Sequence, residues 1–341
     1  MRITRARAIS LAVAVLMSQS CPHGRAQAAL LLLDADGAAA LLSPTGHEAV
    51  YFARICAAGA SHLRRCRPGE LGVVISRYRG IGSYDWLAMP LIPYLYSVEN
   101  AAQVPSRVNR ESVQSLRLAY HDAHLMSLGN AQEGGGVHRG WNQLVGAAYE
   151  RRIWVFRFAT SEEQDDAFIR RMNADANHSH FNIFFSNCSN FTSSVLDFYF
   201  PHTFKRRILP DLGMVTPRQV AYELVRFAQK HAGVHLSVME IPLVPGIHRS
   251  SRVGKGADAS LIASGYVIPI AILSPYAAGA ILADDLIWGR EPLPLKNALV
   301  LSPQELAALK SPSNQIIAQE STQPGNAPSN VTLAGPAWPE R

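Results

Sequence analysis

Apolar segments in the first third of the chain alternate with stretches rich in turn-forming residues. Residues 47–55 (HEAVYFARI) and 71–78 (LGVVISRY) have the β-branched and aromatic composition of strands, which predicts a two-stranded hairpin. The run 29–42 (ALLLLDADGAAALL) is short and almost entirely apolar, and it predicts either an N-terminal helix or the end of a preceding apolar segment. Residues 80–105 combine glycine, proline and aromatic residues, which predicts a long ordered loop.

Helical spacing of apolar residues dominates the middle of the chain. Residues 108–128 predict a helix, and residues 148–158 (AYERRIWVFRF) predict a strand after it. A second helix is predicted after Ser161, because Ser161 and Gln164 have the spacing of a capping box. A third helix is predicted after Thr216, where the following proline suits the first helical turn.

The segment FFSNCSNFTSSVLDFYF, residues 184–200, predicts a helix that begins at Asn187 or Cys188 and is capped by Ser186 or Asn187. Its apolar face is formed by Phe191, Val195, Leu196 and Tyr199. A cysteine in the first turn faces free backbone N–H groups and the positive end of the helix dipole, and both favour a thiolate. The N–H groups around Asn187 and Ser189 can also hold the oxyanion that forms when a carbonyl is attacked. Cys188 is therefore predicted to be a nucleophile, and a packed structural thiol is the alternative.

The N-terminal residues predict an export signal. Three arginines precede the apolar run 9–17, and small residues follow it up to Ala28. This order is typical of a cleavable secretory signal, and the run is too short to span a bilayer. Residues 1–28 are therefore predicted to be removed, which places the mature protein in the periplasm or cell envelope; an uncleaved anchor is the alternative. Cys21 does not predict a lipoprotein, because the three residues before it form a poor lipobox.

Cleavage would also change the charge and the cysteine count. The predicted signal holds four arginines and no acidic residue, so it accounts for much of the net charge of +6. No basic run with interleaved aromatic residues occurs, and no nucleic-acid partner is predicted. Cys56 and Cys66 flank a turn-like stretch and are predicted to form a disulfide in an oxidising compartment, with two free buried thiols as the alternative. That pairing leaves Cys188 free, as expected of a reactive thiol.

A base is needed beside the nucleophile, and His47 is the best placed of the twelve histidines. It follows Pro44-Thr45-Gly46 and occupies the first position of a predicted strand. An imidazole there can take the thiol proton and later protonate the leaving group, although a surface loop histidine is the alternative. A third polar group should orient the imidazole, and Ser76 or Tyr78 on the neighbouring strand can do so.

Gly46-His47 on an early strand and Asn187-Cys188-Ser189 at a late helix start resemble the circularly permuted papain-like superfamily. This superfamily includes NlpC-type peptidases and lecithin:retinol acyltransferase-like enzymes. With residues 151–172 and the aromatic segment before Cys188, the chain looks most similar to the periplasmic domain of bacterial thiol-dependent lipoprotein N-acyltransferases. The resemblance covers about residues 40–205.

The resemblance implies an α+β permuted papain-like fold, in which an antiparallel sheet packs on helices and the nucleophile lies at a helix N-terminus. It implies that Cys188 forms an acyl-thioester and that His47 is its base, with no cofactor. The expected substrate is an acyl-lipid or an amide of the cell envelope, and water or an amine is the acceptor. The alternatives are a cell-wall peptide amidase or peptidase of the same fold and a non-catalytic envelope binding domain.

A metal site is a competing hypothesis. His178 and His180 have the spacing of two ligands on one face of a strand, and His202 follows. No carboxylate or cysteine framework completes this set, and residues 173–180 have the composition of a polar loop. No metal is therefore predicted.

The C-terminal part divides into two segments. Residues 29–245 are predicted to form the catalytic domain and residues 246–310 an apolar extension. Residues 259–283 of the extension contain no charge, which predicts either a membrane-contacting segment or buried core, and prolines interrupt the run. Residues 311–341 are rich in Pro, Ser, Asn and Gln, which predicts a disordered tail.

Overall fold

A computed structural model describes most of the chain between Gln27 and Glu305. The described residues are 27–35, 45–78, 81, 83–128, 144–178, 181–182, 184–205, 210–247, 257–263, 265–288, 291–296, 298–303 and 305. Residues 1–26 of the predicted signal and the predicted tail 311–341 lie outside them.

The described strands form one seven-stranded sheet and a separate two-stranded hairpin. The strands are β1 Ala28–Leu33, β2 His47–Phe52, β3 Ile55–Gly59, β4 His62–Arg65, β5 Val73–Arg77, β6 Trp86–Pro90, β7 Ile153–Phe158, β8 Ser237–Ile241 and β9 Leu299–Val300. The large sheet has the order β6-β5-β2-β1-β7-β8-β9, and β3 pairs with β4. All neighbours in the large sheet are antiparallel except β8 and β9, which are parallel.

Helices cover both faces of the sheet. The described α-helices are α1 Leu91–Tyr96, α2 Arg110–His124, α3 Glu162–Ala174, α4 Cys188–Tyr199, α5 Pro217–Lys230, α6 Ala257–Ala263, α7 Val267–Leu273 and α8 Pro275–Trp288. Buried residues of α1 and α2 join one apolar core, and buried residues of α3, α4 and α5 join a second core on the opposite face. The described part of the chain is therefore an α+β fold with a mixed sheet between two helical layers.

The prediction of an N-terminal helix over residues 29–42 is wrong. Residues Ala28–Leu33 form β1, which lies inside the sheet and pairs with β2 on one side and β7 on the other. All six residues are buried, because the strand has a helical layer on each face. A strand covered on both faces has a continuous apolar sequence instead of an alternating one. Ala28, the last residue of the predicted signal, is the first residue of this strand.

The prediction of a long loop over residues 80–105 is also wrong. The segment contains β6, the edge strand of the sheet, followed directly by α1. Pro90 ends the edge strand, where a missing N–H costs little, and Pro93 lies in the first turn of α1, where prolines are tolerated. The prolines therefore mark the junction between two elements.

The other predicted elements are present. The predicted pairing of 47–55 with 71–78 is confirmed as β2 with β5, and the β3–β4 hairpin lies between them in sequence. The predicted capping box at Ser161 is confirmed for α3, and the predicted helix start at Thr216 is confirmed for α5. Part of the predicted C-terminal extension returns to the large sheet as β9. Among the helices described, none combines the length and apolar character that crossing a bilayer demands.

Candidate active site

The N-terminus of α4 presents Cys188, as the sequence predicts. Asn187 is the N-cap, and its side-chain oxygen accepts a hydrogen bond from the Asn190 N–H at 2.9 Å. The Asn190 side chain in turn accepts from the Asn187 N–H at 3.1 Å, which completes a capping box. The Asn187 amide group also donates to the Val215 carbonyl at 3.0 Å, so the helix start is fixed to the segment before α5.

The capping box changes the predicted oxyanion site. The backbone N–H of Asn187 already donates to Asn190, so this N–H is not available to a substrate oxygen. The N–H of Ser189 instead faces the Cys188 sulfur and favours its charged form. Asn187 therefore acts as the cap that orients the helix, and the oxyanion role of Ser189, whose N–H faces the sulfur, stays a prediction.

Cys188 is the free cysteine of the described region and is partly exposed. Its sulfur lies 4.0 Å from the Ser189 hydroxyl oxygen. The backbone N–H groups of Glu48 and Ser189 favour the thiolate, but desolvation and the nearby Glu48 carboxyl outweigh them and raise the pKa of Cys188 to about 11. The resting cysteine is therefore a thiol, which differs from the thiolate expected from its helix position alone.

His47 occupies the first position of β2 and is 2% exposed. Gly46 before it has φ +89°, and a Cβ at this position would collide with the Leu33 carbonyl oxygen, so the turn into β2 requires glycine. This turn fixes the backbone position from which the imidazole extends.

Ser76, one of the two candidates for the third residue, lies beside the imidazole. The Ser76 hydroxyl lies 3.3 Å from Nε2 of His47 and donates its proton to the Glu48 carbonyl at 2.5 Å. Because the hydroxyl proton is used in this way, its oxygen accepts from a protonated Nε2 of His47. In the neutral imidazole Nδ1 then carries the lone pair, which is the atom that can take a proton.

Burial keeps the imidazole neutral. Desolvation, with a smaller effect from the positive charge of Arg151, lowers the pKa of His47 to about 3. Tyr78, the other candidate for the third residue, packs against His47 with a ring-centroid distance of 5.3 Å. Its hydroxyl is buried without a hydrogen-bond partner, and the Tyr94 hydroxyl has the same property. The charge of a Cys188 thiolate would raise the pKa of both tyrosines, so both hydroxyls lie within electrostatic range of the sulfur.

The Cys188 sulfur contacts the backbone of Glu48, the residue after His47 in β2, and the described hydrogen bonds include none between the thiol and the imidazole. His47 pairs with Leu33 and Glu48 with Leu32, and these leucines belong to opposite cores. The imidazole therefore lies on one face of the sheet, whereas α4 packs on the other. The sulfur reaches the backbone N–H of Glu48, next to His47, at the end of the strand.

Glu48 is a site residue that the sequence analysis missed. Its side chain is fully buried, and neither carboxyl oxygen has a hydrogen-bond partner of ordinary geometry. Desolvation raises the pKa of Glu48 well above its usual value, although the Ser189 hydroxyl is near enough to oppose this shift. Burial therefore favours the neutral form of this carboxyl beside the cysteine. The sequence signal was a carboxyl inside the apolar strand segment 47–55, since carboxyls are uncommon in a core.

Arg77 attaches the start of α4 to the end of β5. Its guanidinium donates to the Asn187 carbonyl at 3.4 Å and lies 5.6 Å from the centroid of the Phe191 ring. Asp85 accepts a hydrogen bond from the same guanidinium at 2.5 Å and holds it in this position. No local motif predicts this contact, because Arg77 and Asn187 are far apart along the chain.

The predicted disulfide is confirmed. Cys56 and Cys66 are bonded and link β3 to the residue after β4, with a Cα–Cα distance of 4.9 Å. Among the described residues, the single cluster with metal-ligand spacing consists of these two cysteines and Glu70. Sulfurs joined in a disulfide are not thiolates, so this cluster lacks the ligands that a metal needs. His180, a member of the hypothetical zinc site, lies outside the described residues.

Comparison with protein-family models, with curated proteins and with solved structures finds no match to this chain. Function is therefore inferred from the site itself.

Proposed function

We propose that this protein is an exported, cysteine-dependent acyl-transfer enzyme of the permuted papain-like class. One observation carries the proposal: a free, partly exposed cysteine at a capped helix N-terminus meets the end of a strand that begins with a histidine. The hydrogen bonds of Ser76 support the role of His47 as base, because they leave the Nδ1 lone pair unused.

Both partners are neutral at rest, so the proposed proton transfer accompanies the attack. Nδ1 of His47 takes the thiol proton while Sγ of Cys188 forms a bond to the acyl carbon. The Ser189 N–H stabilises the oxyanion, and the imidazolium then protonates the leaving alcohol or amine. Water or an amine attacks the resulting thioester, returns its proton through His47 and restores the thiol. Contacts between base and nucleophile are often longer in the free enzyme than in the substrate complex.

An acyl-lipid is the favoured donor class. Phe184 and Phe185, just before Cys188, are 44% and 68% exposed, and they offer apolar surface to an acyl chain close to the nucleophile. A cell-wall peptide amidase would use the same thioester with a polar peptide donor, which this surface does not favour.

The proposed location is the periplasm or cell envelope. The Cys56–Cys66 disulfide supports it, because such bonds persist mainly in oxidising compartments. The predicted signal at residues 1–28 is consistent with the same location.

The test is detection of the thioester by mass spectrometry after incubation with a 4-nitrophenyl ester of a medium-chain fatty acid. We expect an acyl adduct on the peptide that contains Cys188, and we expect none with Cys188→Ala. His47→Ala should slow acylation strongly, whereas the control His62→Ala, which alters an exposed histidine of β4, should not. Circular dichroism verifies that each variant is folded. A folded wild-type protein that forms no adduct, or forms it on another residue, would overturn the proposal.

A further inference from the structure

Helix α7 is apolar on every side and has no buried residue. Its sequence is VIPIAIL, and Ile268, Ile272 and Leu273 are 64%, 79% and 87% exposed. Tyr276, in the first turn of α8, is 92% exposed. Large apolar side chains are rarely exposed in such a concentration on a protein that is surrounded by water.

The second helix of this pair is attached to the protein along one side only. Ala278, Ile281 and Asp284 are buried, and their spacing places them on one face of α8. Leu282 and Leu286, on other sides of the helix, are 49% and 74% exposed. The hairpin α7–α8 therefore has a largely exposed apolar surface on both sides of its connection at Ser274.

We propose that the α7–α8 hairpin inserts into one leaflet of a lipid bilayer. A protein groove would cover one face of a helix, whereas α7 presents apolar side chains around its whole circumference, which calls for a surrounding apolar medium. No charged residue occurs between Ala259 and Ala283, and Asp284 and Asp285 follow at the base of the hairpin.

The dimensions fit shallow insertion. Seven residues of α7 give a length of about 10 Å, which is less than the half-thickness of about 15 Å of a hydrocarbon core. Tyr266, just before α7, is 39% exposed and lies where the ring and hydroxyl of a tyrosine suit the interface between lipid and water. The hairpin thus reaches into one leaflet without crossing the bilayer.

Hydrogen bonds connect the base of the hairpin to the neighbourhood of Cys188. The backbone N–H of Asp211 donates to Asp258 of α6 at 3.0 Å and to Asp284 of α8 at 3.1 Å. The Asp211 carboxyl accepts from the Thr216 hydroxyl at 2.9 Å, and the preceding Val215 carbonyl accepts from Asn187. Insertion of the hairpin would therefore hold the start of α4 at a fixed distance from the membrane surface. The inference that the acyl donor comes from this membrane rests on the proposed function, whereas the insertion of the hairpin does not.

The test is flotation of the full chain with vesicles of phosphatidylcholine, alone or mixed with phosphatidylglycerol. We expect the wild type and Cys188→Ala to float with the vesicles. The double variant Ile272→Asp/Leu273→Asp should lower the partition coefficient on the order of 100-fold, because two charged groups would enter the hydrocarbon region. The matched control is Met126→Asp, because Met126 is an exposed apolar residue, 68% exposed, outside the hairpin.

Each result of the flotation experiment supports or overturns the insertion of the hairpin. Every variant has the same N-terminus, so equal flotation of the double variant and the wild type would assign binding to another segment and overturn the proposal. A wild type that forms dimers in gel filtration and does not float, together with a monomeric double variant, would show that a second copy covers the hairpin. Hydrolysis of a soluble 4-nitrophenyl ester is measured in parallel. Absence of this hydrolysis in the wild type would count against the proposed function alone. Hydrolysis by a double variant that no longer floats would support both the proposed function and the insertion of the hairpin.

Discussion

Strand β1 and helix α7 have nearly the same kind of sequence and opposite environments. β1 is AALLLL with every residue buried, and α7 is VIPIAIL with none buried. β1 lies between two strands and two helical layers, so its side chains are removed from water on both faces. α7 packs on its neighbouring helix α8, and each of its residues keeps part of its surface exposed. An uninterrupted apolar run therefore requires an apolar environment, and the fold determines whether the protein supplies it.

The largest expected effect compares the two elements directly. Leu30→Ala in β1 should lower the free energy of unfolding by about 3–5 kcal/mol, because it leaves a cavity in a closed core. Leu273→Ala in α7 should change it by less than about 0.5 kcal/mol, because that side chain is already exposed. Urea unfolding monitored by tryptophan fluorescence measures both. A cost for Leu273→Ala close to that for Leu30→Ala would show that α7 is buried within the protein.

A second prediction concerns the buried imidazole at the end of β2. Its folded-state pKa is about 3, below the usual value of 6.5, so its contribution to stability is fully present above pH 6.5 and is lost as the pH falls towards 3. This loss should reach up to about 1.4 kcal/mol for each pH unit within that window. Urea titrations from pH 7 to 4 should show a weaker pH dependence for His47→Asn than for the wild type. The exposed His62→Asn serves as the control, and an unchanged slope in His47→Asn would contradict a buried neutral imidazole.

A third prediction concerns the β3–β4 hairpin, whose stability depends on a covalent link as well as on packing. The double variant Cys56→Ala/Cys66→Ala should lower the free energy of unfolding by about 2–3 kcal/mol, because the unfolded chain gains freedom. Reduction of the wild type by dithiothreitol should have the same effect and should leave the double variant unchanged. Additional destabilisation of the double variant by dithiothreitol would be inconsistent with this assignment.

A fourth prediction concerns the hydrogen-bonded aspartates that connect the sheet region to the α7–α8 hairpin. Desolvation and the shared hydrogen bond with Asp284 raise the pKa of Asp258 to about 8. Because this folded-state pKa is above the usual 3.8, its contribution to stability is present below about pH 4 and is lost as the pH rises through 8. Asp211 and Asp284 face the same group, so ionisation of Asp258 adds negative charge to an acidic environment.

Amide hydrogen exchange of α6 and α8 as a function of pH tests this connection. We expect the protection of the α6 and α8 amides, relative to an unfolded chain at the same pH, to fall between pH 6 and 9 in the wild type. This protection should depend less on pH in Asp258→Asn. Asp285→Asn, at the next position of α8, is the control. The same pH dependence in Asp258→Asn and wild type would assign the change to another group.

The smallest expected effect concerns the pKa of the Cys188 thiol. The rate of Cys188 alkylation by iodoacetamide should rise through a midpoint near pH 11, because burial and Glu48 raise the pKa of the thiol. Glu48→Gln should shift this midpoint downwards, because it removes the carboxylate charge, and Glu70→Gln on the distant β3–β4 hairpin region should not. A midpoint at the ordinary value for an exposed thiol would contradict the buried environment.

Local sequence signals predicted the elements that carry the site. The Ser161 and Thr216 caps, the helix start at Asn187 and the pairing of β2 with β5 all depend on neighbouring residues or on simple alternation, and all are present. The errors occurred where the environment overrides local signals. Residues 29–42 were predicted as a helix or the end of a preceding apolar segment, and a strand was not considered, because a run covered on both faces lacks the alternation of a half-exposed strand.

The candidate site was predictable in part. Cys188, His47 and Ser76 were identified from the sequence, and the Ser76–His47 contact follows from the pairing of adjacent strands. Glu48 was missed because a strand pattern alone does not show that its carboxyl lies beneath a helix N-terminus. The sequence predicted a thiolate at Cys188, whereas burial and the Glu48 carboxyl raise the pKa of this thiol. Desolvation and charge depend on which groups the fold brings together.

The sequence by itself determined the helix caps, the strand composition, the free cysteine and the apolar character of β1 and of the hairpin, because each depends on residues close together along the chain. The tertiary structure alone decided which apolar run is buried, how Cys188 comes to lie against Glu48, and how burial shifts the pKa values of the ionisable groups. These properties depend on contacts between distant segments and on the water that those contacts exclude.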